Sequence, residues 1–206
     1  MNKSKSIVII ANGPSRVEMA LEELDSHIDT LTINVPDMRV FPSTFWMMLD
    51  YNVVKRHEDL LNDYKGKFLC SSAVLNKYHG PHTLVKCKQG FGFSIRTGQK
   101  LFIGHSTTYV AAQWAFIQGY DKIFIVGMDI GKVNGKLYEW GGNPYVSDSK
   151  RINRFIDEAK YWNWLSNYFP RSFRNRIYLC SKYLNYNWKD KFNKAYTIEE
   201  INRTAR

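Results

Sequence analysis

The most informative part of the sequence is Ile7-Val8-Ile9-Ile10-Ala11-Asn12-Gly13-Pro14-Ser15. Its first five residues are apolar and mostly β-branched, which is typical of a strand buried inside a parallel sheet. Gly13 and Pro14 end this strand in a tight turn. Ser15 and Glu18 have the spacing of a helical capping box, and four apolar residues then recur at helical spacing: Val17, Leu21, Leu24 and Ile28. We therefore predict a strand, a glycine turn and a capped helix.

A second unit of the same kind lies near the middle of the chain. An apolar segment from Gly104 to Gly119 predicts a buried helix, with His105, Ser106, Thr107 and Thr108 at its start. The strand Lys122-Ile123-Phe124-Ile125-Val126 follows and runs into Gly127-Met128-Asp129. Two such units predict a sheet in which both strand ends meet across one crevice. The free N–H groups of a helix start can hold a phosphate there, although Gly13 and Pro14 can equally serve only as a sharp turn.

Polar residues also follow other predicted strands. Residues 30–34 predict a strand that ends in Asn34, and residues 45–50 are an apolar run that closes on Asp50. Ligands bind at the carboxyl ends of strands in open α/β sheets. Residues 52–64 predict a charged helix and residues 67–71 a short strand. From residue 72 to 100 we expect an irregular or β-rich insertion. His79 and His82 within it have the spacing of a ligand pair but no clear third ligand, so we interpret them as loop histidines and expect no metal.

The last third of the chain predicts a loop, a helix and a basic tail. The loop of residues 130–149 mixes glycines with aromatic residues, as an active-site cover or a surface hairpin would. An amphipathic helix is predicted over residues 149–168, with an apolar face formed by Ile152, Phe155, Ile156, Ala159, Trp162 and Leu165. Residues 177–180 predict a last strand. The aromatic residues of the tail could stack on nucleic-acid bases, or they could pack on the core.

The charge of the chain is concentrated near its C-terminus. The 206 residues have a net charge of +10, and residues 150–206 contain 13 Lys and Arg against 5 Asp and Glu. Such a surface favours nucleic acid, an anionic membrane face or lipopolysaccharide as a partner, and a merely solvated basic face is the alternative. The first residues lack the pattern of a signal peptide and no apolar run is long enough for a membrane span, so we expect a soluble cytoplasmic protein, or one of the host cytoplasm if viral. Three cysteines without metal spacing predict reduced thiols.

These patterns together predict an α/β fold with a Rossmann-like, mostly parallel sheet flanked by helices. We expect residues 1–149 to form this nucleotide-binding domain, with the insertion at 72–100. Residues 150–206 are expected to form a basic, aromatic, helical extension packed on the same domain.

Two segments carry a resemblance to a known family. The pairing of residues 9–15, Ile-Ile-Ala-Asn-Gly-Pro-Ser, with residues 119–129, Gly-Tyr-Asp-Lys-Ile-Phe-Ile-Val-Gly-Met-Asp, resembles the glycosyltransferase family 42 sialyltransferases. It also resembles a related group of motility accessory factors and pterin pyrophosphokinase-like proteins. The resemblance covers residues 6–50 and 104–130. It implies a single nucleotide-sugar-binding domain similar to a variant of the GT-A fold, working without metal on a UDP- or CMP-linked sugar as co-substrate.

The resemblance also implies site residues. By matched position, the substrate-binding residues would be Asn12, Gly13, Ser15, Asn34, Ser106 and Thr107. Tyr138 and Tyr145 lie where the family places tyrosines that offset charge on the departing phosphate. No Asp-x-Asp motif occurs in the sequence, which agrees with a metal-independent reaction.

The general base is where the chain departs from the family. The sialyltransferases use a histidine well downstream of the Gly-x-Asp strand, and here no histidine follows His105. An acceptor hydroxyl must still lose its proton as it attacks the anomeric carbon. The candidates, in order of preference, are Asp129, Asp50, His105 and Glu139, and the sugar itself is left open.

Three functions follow from the sequence. The first is a glycosyltransferase whose acceptor is a hydroxylated base in DNA, as in viral DNA hypermodification, with lipopolysaccharide or another glycan as the second acceptor. The second is a pyrophosphokinase-like phosphotransferase, which would need Mg²⁺ and ATP. The third is a non-catalytic nucleic-acid-binding module.

Overall fold

The computed structural model describes residues 4–75, 78–137 and 147–206. Tyr138, Glu139 and Tyr145, named above as candidates, lie outside the described residues. Within these ranges the strands are β1 Ser6–Ile10, β2 Asp29–Ile33, β3 Phe45–Met48, β4 Lys67–Cys70, β5 Thr83–Leu84, β6 Cys87–Lys88, β7 Leu101–Phe102, β8 Lys122–Val126, β9 Ile177–Leu179 and β10 Asn193–Lys194.

Eight of these strands form one sheet in the order β10-β9-β8-β1-β2-β3-β4-β5, and neighbouring strands run parallel. The remaining pair, β6 and β7, forms a separate two-stranded sheet. The predicted Rossmann-like α/β class is therefore confirmed. The chain builds β2 to β5 on one side of β1 and then returns to place β8 on the other side. This reversal makes the gap between β1 and β8 a topological switch point, where ligands bind in open α/β sheets.

The helices are α1 Tyr51–Arg56, α2 Glu58–Asn62, α3 Ser72–Leu75, α4 Thr107–Ile117, α5 Asp148–Tyr168, α6 Arg171–Arg174 and α7 Ile198–Ala205. Helices α4 and α5 cover the face of β1 that carries Ile7 and Ile9. Helix α7 covers the face that carries Val8 and Ile10. Because β1 is buried on both faces, it has the apolar sequence that predicted it.

The prediction of a regular helix directly after the first turn is wrong. Two short 3-10 helices, Pro14–Glu18 and Leu21–Glu23, stand in its place, and Val17 is 53% exposed. No side chain caps the first of them. The reason is that the capping pair has other partners: the Ser15 hydroxyl donates to Asp129, and Glu18 pairs with Lys182.

Two other segments differ from the prediction. The charged helix predicted over residues 52–64 is divided into α1 and α2 at His57, whose backbone is not helical (φ −119°, ψ 19°). The predicted insertion at 72–100 contains α3, β5 and β6, and β5 extends the edge of the main sheet. The buried side chain of Gln113 ties this segment to α4: its amide accepts hydrogen bonds from the backbone N–H groups of Ser94 and Phe102 and donates to the carbonyl of Phe102.

The C-terminal quarter completes the sheet and the core. Residues 150–206 supply β9 and β10 along with most of α5 and the whole of α6 and α7. Trp188 and Phe192, two of the tail aromatics, are buried against Trp162 of α5. These two rings therefore belong to the core and are not available for stacking on nucleic acid.

Over the part of the chain that the structure describes, no helix combines the length and the apolar character needed to cross a membrane.

Candidate functional site

A crevice opens at the carboxyl edge of the sheet, at the switch point between β1 and β8. Including the open solvent at its mouth, it encloses about 640 Å³. The cavity inside the crevice itself is smaller, about 100 Å³. Seven residues predicted from sequence line it: Asn12, Gly13, Asn34, His105, Ser106, Thr107 and Asp129. The turn after β1, the end of β2, the start of α4 and the end of β8 thus converge on one site.

Gly13 is required by the close approach of the two strand ends. Its backbone N–H donates to the carbonyl of Gly127 at 2.8 Å. A Cβ atom on Gly13 would lie 2.3 Å from that oxygen and 2.5 Å from a carboxylate oxygen of Asp129. Gly127 itself has a positive φ of 70°, and a Cβ there would meet the Ala11 carbonyl at 2.7 Å. Neither position accepts a side chain without moving the backbone.

Asp129 fastens three strand ends together. It is 4% exposed, and its carboxylate accepts hydrogen bonds from the backbone N–H of Ser15 at 2.8 Å and from the hydroxyls of Ser15 and Ser181, each at 2.5 Å. Ser15 follows β1 and Ser181 follows β9. These three hydrogen bonds occupy both carboxylate oxygens, so this geometry suits a structural anchor.

The loop after β2 is fixed to the turn after β1 by polar contacts. The Asn12 side-chain amide donates to the carbonyl of Val35 at 2.9 Å. The buried Arg16 donates to the same carbonyl at 3.2 Å and lies 3.6 Å from the carboxylate of Asp37. Burial alone would raise the pKa of Asp37, but hydrogen bonds from Arg39 and the charges of Arg39 and Arg16 hold that pKa below its usual value. Asn12 therefore lines the crevice and also holds the loop after β2 in place.

The start of α4 brings a row of polar groups to the crevice. Ser106 is the N-cap of this helix, and its hydroxyl oxygen accepts from the backbone N–H of Thr108 at 3.1 Å. The Ser106 hydroxyl therefore caps this helix. The N-terminus of an eleven-residue helix, with its partial positive charge, faces the crevice beside Thr107.

Helix α5 supplies three lining residues that the sequence analysis missed: Arg154, Phe155 and Glu158. Glu158 is 7% exposed and accepts hydrogen bonds from the Ser106 hydroxyl and from the indole N–H of Trp162, the latter at 3.4 Å. Burial raises the pKa of Glu158 to about 7, against these two hydrogen bonds and the positive charge of Arg154, which act to lower it. The crevice therefore contains a carboxyl group that gains and loses a proton near neutral pH.

A sequence signal for Glu158 did exist. Its position falls on the same helical face as Phe155 and Trp162, so a charged residue occurs where the pattern calls for an apolar one. The predicted apolar face included Ile152 and Ile156, which are 38% and 47% exposed. That part of the prediction is wrong, and the buried face is the one that carries Glu158.

Three lining residues that are not glycine have left-handed backbones. They are Asn34 with φ 55°, His105 with φ 56° and Ile130 with φ 49°. This conformation is uncommon for residues with a side chain and is a genuine outlier for a β-branched residue such as Ile130. Strained residues of this kind cluster at functional sites, because the surrounding structure holds them there.

Other predicted candidates lie elsewhere. Asp50 is outside the group of residues lining the crevice; its carboxylate accepts from the backbone N–H of Asn52 at 2.8 Å and caps α1. Ser15 is not among the residues that line the crevice, but its hydroxyl donates to Asp129, which does line it. Tyr138 and Tyr145 belong to residues that the structure does not describe. Within the described ranges no group of three or more His, Cys, Asp or Glu side chains is placed to hold a metal ion.

Comparison of the chain with protein-family models, with curated proteins and with solved structures found no match. The fold and the site define the class, a Rossmann-like α/β protein with a polar crevice at its switch point. The resemblance to the family 42 glycosyltransferases remains a prediction from the two short segments that carry it.

Proposed function

We propose that this chain is a glycosyltransferase that binds a nucleotide-activated sugar in the crevice and transfers the sugar to a hydroxyl acceptor. The observation that carries the proposal is the convergence of a glycine turn, a helix N-terminus and the Arg154 guanidinium on one polar crevice at the switch point. Dinucleotide-type folds bind phosphates at this place.

The crevice offers groups suited to the donor phosphates. The N–H groups at the start of α4 and the guanidinium of Arg154 can offset the charge that develops on the departing phosphate. The hydroxyl of Thr107 can donate to a phosphate or sugar oxygen. Because these groups can offset the negative charge of a phosphate, the proposed reaction does not require a metal ion.

The positive charge near the crevice supports a polyanionic acceptor. Our first choice of acceptor is a hydroxylated base in DNA, and our second is a glycan. The hairpin after β8 contains Lys132 and Lys136, and the first turns of α5 contain Lys150, Arg151 and Arg154. Residues 130–137 contain no acidic residue, and residues 147–156 contain one, Asp148, against three basic residues. Other C-terminal cations, such as Arg171 and Arg176, lie at the opposite edge of the sheet, where β9 begins. Only part of the C-terminal charge therefore supports an acceptor at the crevice.

A thermal-shift panel tests the donor. The purified chain is heated with UDP, CMP, UDP-linked sugars, CMP-linked sugars and ATP, each with EDTA and with Mg²⁺. A ligand present at one hundred times its Kd stabilises the folded state by about 2.7 kcal/mol. For a chain of this size that corresponds to a rise in Tm of about 5–10 °C.

The panel separates the candidate functions. Stabilisation by a nucleotide sugar in the presence of EDTA supports the proposal. Stabilisation by ATP that depends on Mg²⁺ would favour a phosphotransferase. No stabilisation by any nucleotide, combined with salt-dependent binding to DNA, would contradict the proposal and favour a nucleic-acid-binding module.

A further inference from the structure

We propose that Glu158, and not Asp129, is the general base of this site and removes the proton from the attacking hydroxyl. The inference rests on the proposed function, because it assigns a residue to the transfer reaction. Two acidic side chains line the crevice in the described part of the chain, Asp129 and Glu158.

The hydrogen bonds of the two carboxylates differ. Asp129 accepts from Ser15 through its N–H and its hydroxyl and from the hydroxyl of Ser181, and these donors belong to the turns that frame the crevice. Both oxygens of the Asp129 carboxylate are therefore already engaged by donors of the frame. Glu158 accepts from the Ser106 hydroxyl and, at the longer distance of 3.4 Å, from Trp162. Fewer and weaker hydrogen-bond donors therefore compete with an incoming proton at the Glu158 carboxylate.

Groups from several elements face Glu158. Arg154 lies one turn earlier on α5, Ser106 caps α4, and Tyr186 approaches from the segment before the 3-10 helix Asn187–Lys191. Burial raises the pKa of the Tyr186 hydroxyl, and the charge of Glu158 raises it further, so Tyr186 stays neutral. His105 stands at the mouth of the crevice, where its ring is exposed. A base must be charged to act and must still hold a proton well, and a buried carboxyl that titrates near neutral pH meets both conditions.

The step balances without any further reactant. The O–H bond of the acceptor breaks and its proton passes to an oxygen of the Glu158 carboxylate. The acceptor oxygen forms a bond to the anomeric carbon, and the bond from that carbon to the phosphate oxygen breaks. The electron pair of the broken bond leaves with the nucleotide phosphate, whose charge faces Arg154 and the start of α4.

The test uses water as the acceptor, so the natural acceptor does not have to be known. Release of nucleotide from the UDP- or CMP-linked sugar that binds best is followed from about pH 5 to about pH 9. We expect the wild-type rate to rise with pH to a plateau, with a midpoint near neutrality. Glu158→Gln should lower kcat by about 100-fold or more and remove this midpoint, while the KM for the donor changes little. Glu158→Asp should recover part of the rate.

Asp157→Asn is the matched control. It removes a carboxylate from the neighbouring position on α5, where Asp157 is partly exposed and pairs with Lys160 at 2.7 Å. We expect it to keep the wild-type rate and midpoint. A Glu158→Gln variant that also keeps the rate and midpoint would overturn the proposal. So would a His105→Asn variant that loses the midpoint while Glu158→Gln retains it.

A second measurement needs no ligand. The stability of wild type and Glu158→Gln is compared across the same pH range by urea unfolding. A stability difference that changes between about pH 5 and about pH 8 shows that Glu158 exchanges a proton in the folded crevice. A constant difference would overturn the proposal even if no nucleotide sugar were turned over. Failure of the wild-type chain to bind any nucleotide sugar would instead overturn the proposed function.

Discussion

The two buried carboxyl groups of the crevice have opposite effects on the stability of the folded state. Asp129 stabilises the folded state through its hydrogen bonds, whereas Glu158 destabilises it when charged, because burial disfavours its ionised form. Each role predicts a different response to substitution by the corresponding amide.

Replacing Glu158 with Gln should stabilise the protein at high pH. Because burial raises the pKa of Glu158 from 4.5 to about 7, the folded state holds this proton more tightly than the unfolded state does. The wild type therefore loses stability as the pH rises from about 4.5 to about 7, while the Gln variant does not. The full pH-dependent difference is about 3 kcal/mol by the usual conversion of pKa shifts. Urea midpoints of the two proteins at acid and alkaline pH measure it, and a larger benefit at acid pH would contradict the account.

Replacing Asp129 with Asn should destabilise the protein. The amide offers a donor where the Ser15 and Ser181 hydroxyls also donate, and it lacks the charge that strengthens these bonds. We expect the free energy of unfolding to fall by about 1–3 kcal/mol in urea denaturation. Asp190→Asn is the control, because Asp190 is an exposed partner of Lys194 and its loss should change little. Equal stabilities for the two variants would show that Asp129 does not fasten the strand ends.

At the scale of elements, Gln113 joins α4 to the segment before it. Its side chain is fully buried and bonds to the backbone of Ser94, Phe102 and Tyr109. An apolar pattern alone does not distinguish such a residue from an ordinary polar position on a helix. The sequence predicted α4 correctly but gave no indication that this glutamine organises residues 94–102.

Gln113→Leu should therefore lower the free energy of unfolding strongly, although the two side chains have similar volumes. The substitution leaves the N–H groups of Ser94 and Phe102 and the carbonyl of Phe102 without this partner. We expect a loss of about 3 kcal/mol in the free energy of unfolding. Gln118→Leu, at the exposed end of the same helix, is the matched control and should be nearly neutral. A similar effect at both positions would contradict the structural role of Gln113.

The sequence predicted most of the strands because buried parallel strands leave a short apolar signature, as in residues 7–11 and 122–126. It failed after β1, where local spacing indicated a helix but Ser15 and Glu18 bond to distant partners. It also missed Glu158, because contact between α5 and the carboxyl edge of the sheet depends on tertiary packing. Residues matched by strand position, such as Asn34, reached the crevice, whereas Asp50 serves as a helix cap.

At the scale of the whole molecule, positive charge lies on both edges of the sheet. Lys136 and Lys150 are exposed; Lys136 precedes the lining residue Leu137, and Lys150 lies one helical turn before the lining residue Arg154. Arg171 and Arg203 are exposed on α6 and α7, whose neighbours Arg176 and Lys122 mark the amino edge. If the acceptor is a polyanion, it must contact the first of these groups.

A charge-matched pair of double variants tests this arrangement. We expect Lys136→Gln with Lys150→Gln to weaken binding to a single-stranded DNA oligonucleotide and to reduce the slope of log affinity against log salt by about 1–2. Arg171→Gln with Arg203→Gln removes the same charge from the other edge and should leave the slope nearly unchanged. Fluorescence anisotropy over a range of salt concentrations gives both slopes. The reverse order would place the polyanion at the amino edge, away from the crevice.

The most direct test of the central claim is an isothermal titration of the chain with UDP-linked and CMP-linked sugars in the presence of EDTA. We predict that one of them binds with one molecule per chain, and that Arg154→Gln weakens its Kd by about 10-fold or more, as expected for loss of a charged phosphate contact. Arg171→Gln, with the same loss of charge at the opposite edge, should bind like the wild type. Absence of binding, or equal binding by the wild type and Arg154→Gln, would contradict the claim that this crevice holds a nucleotide-activated sugar.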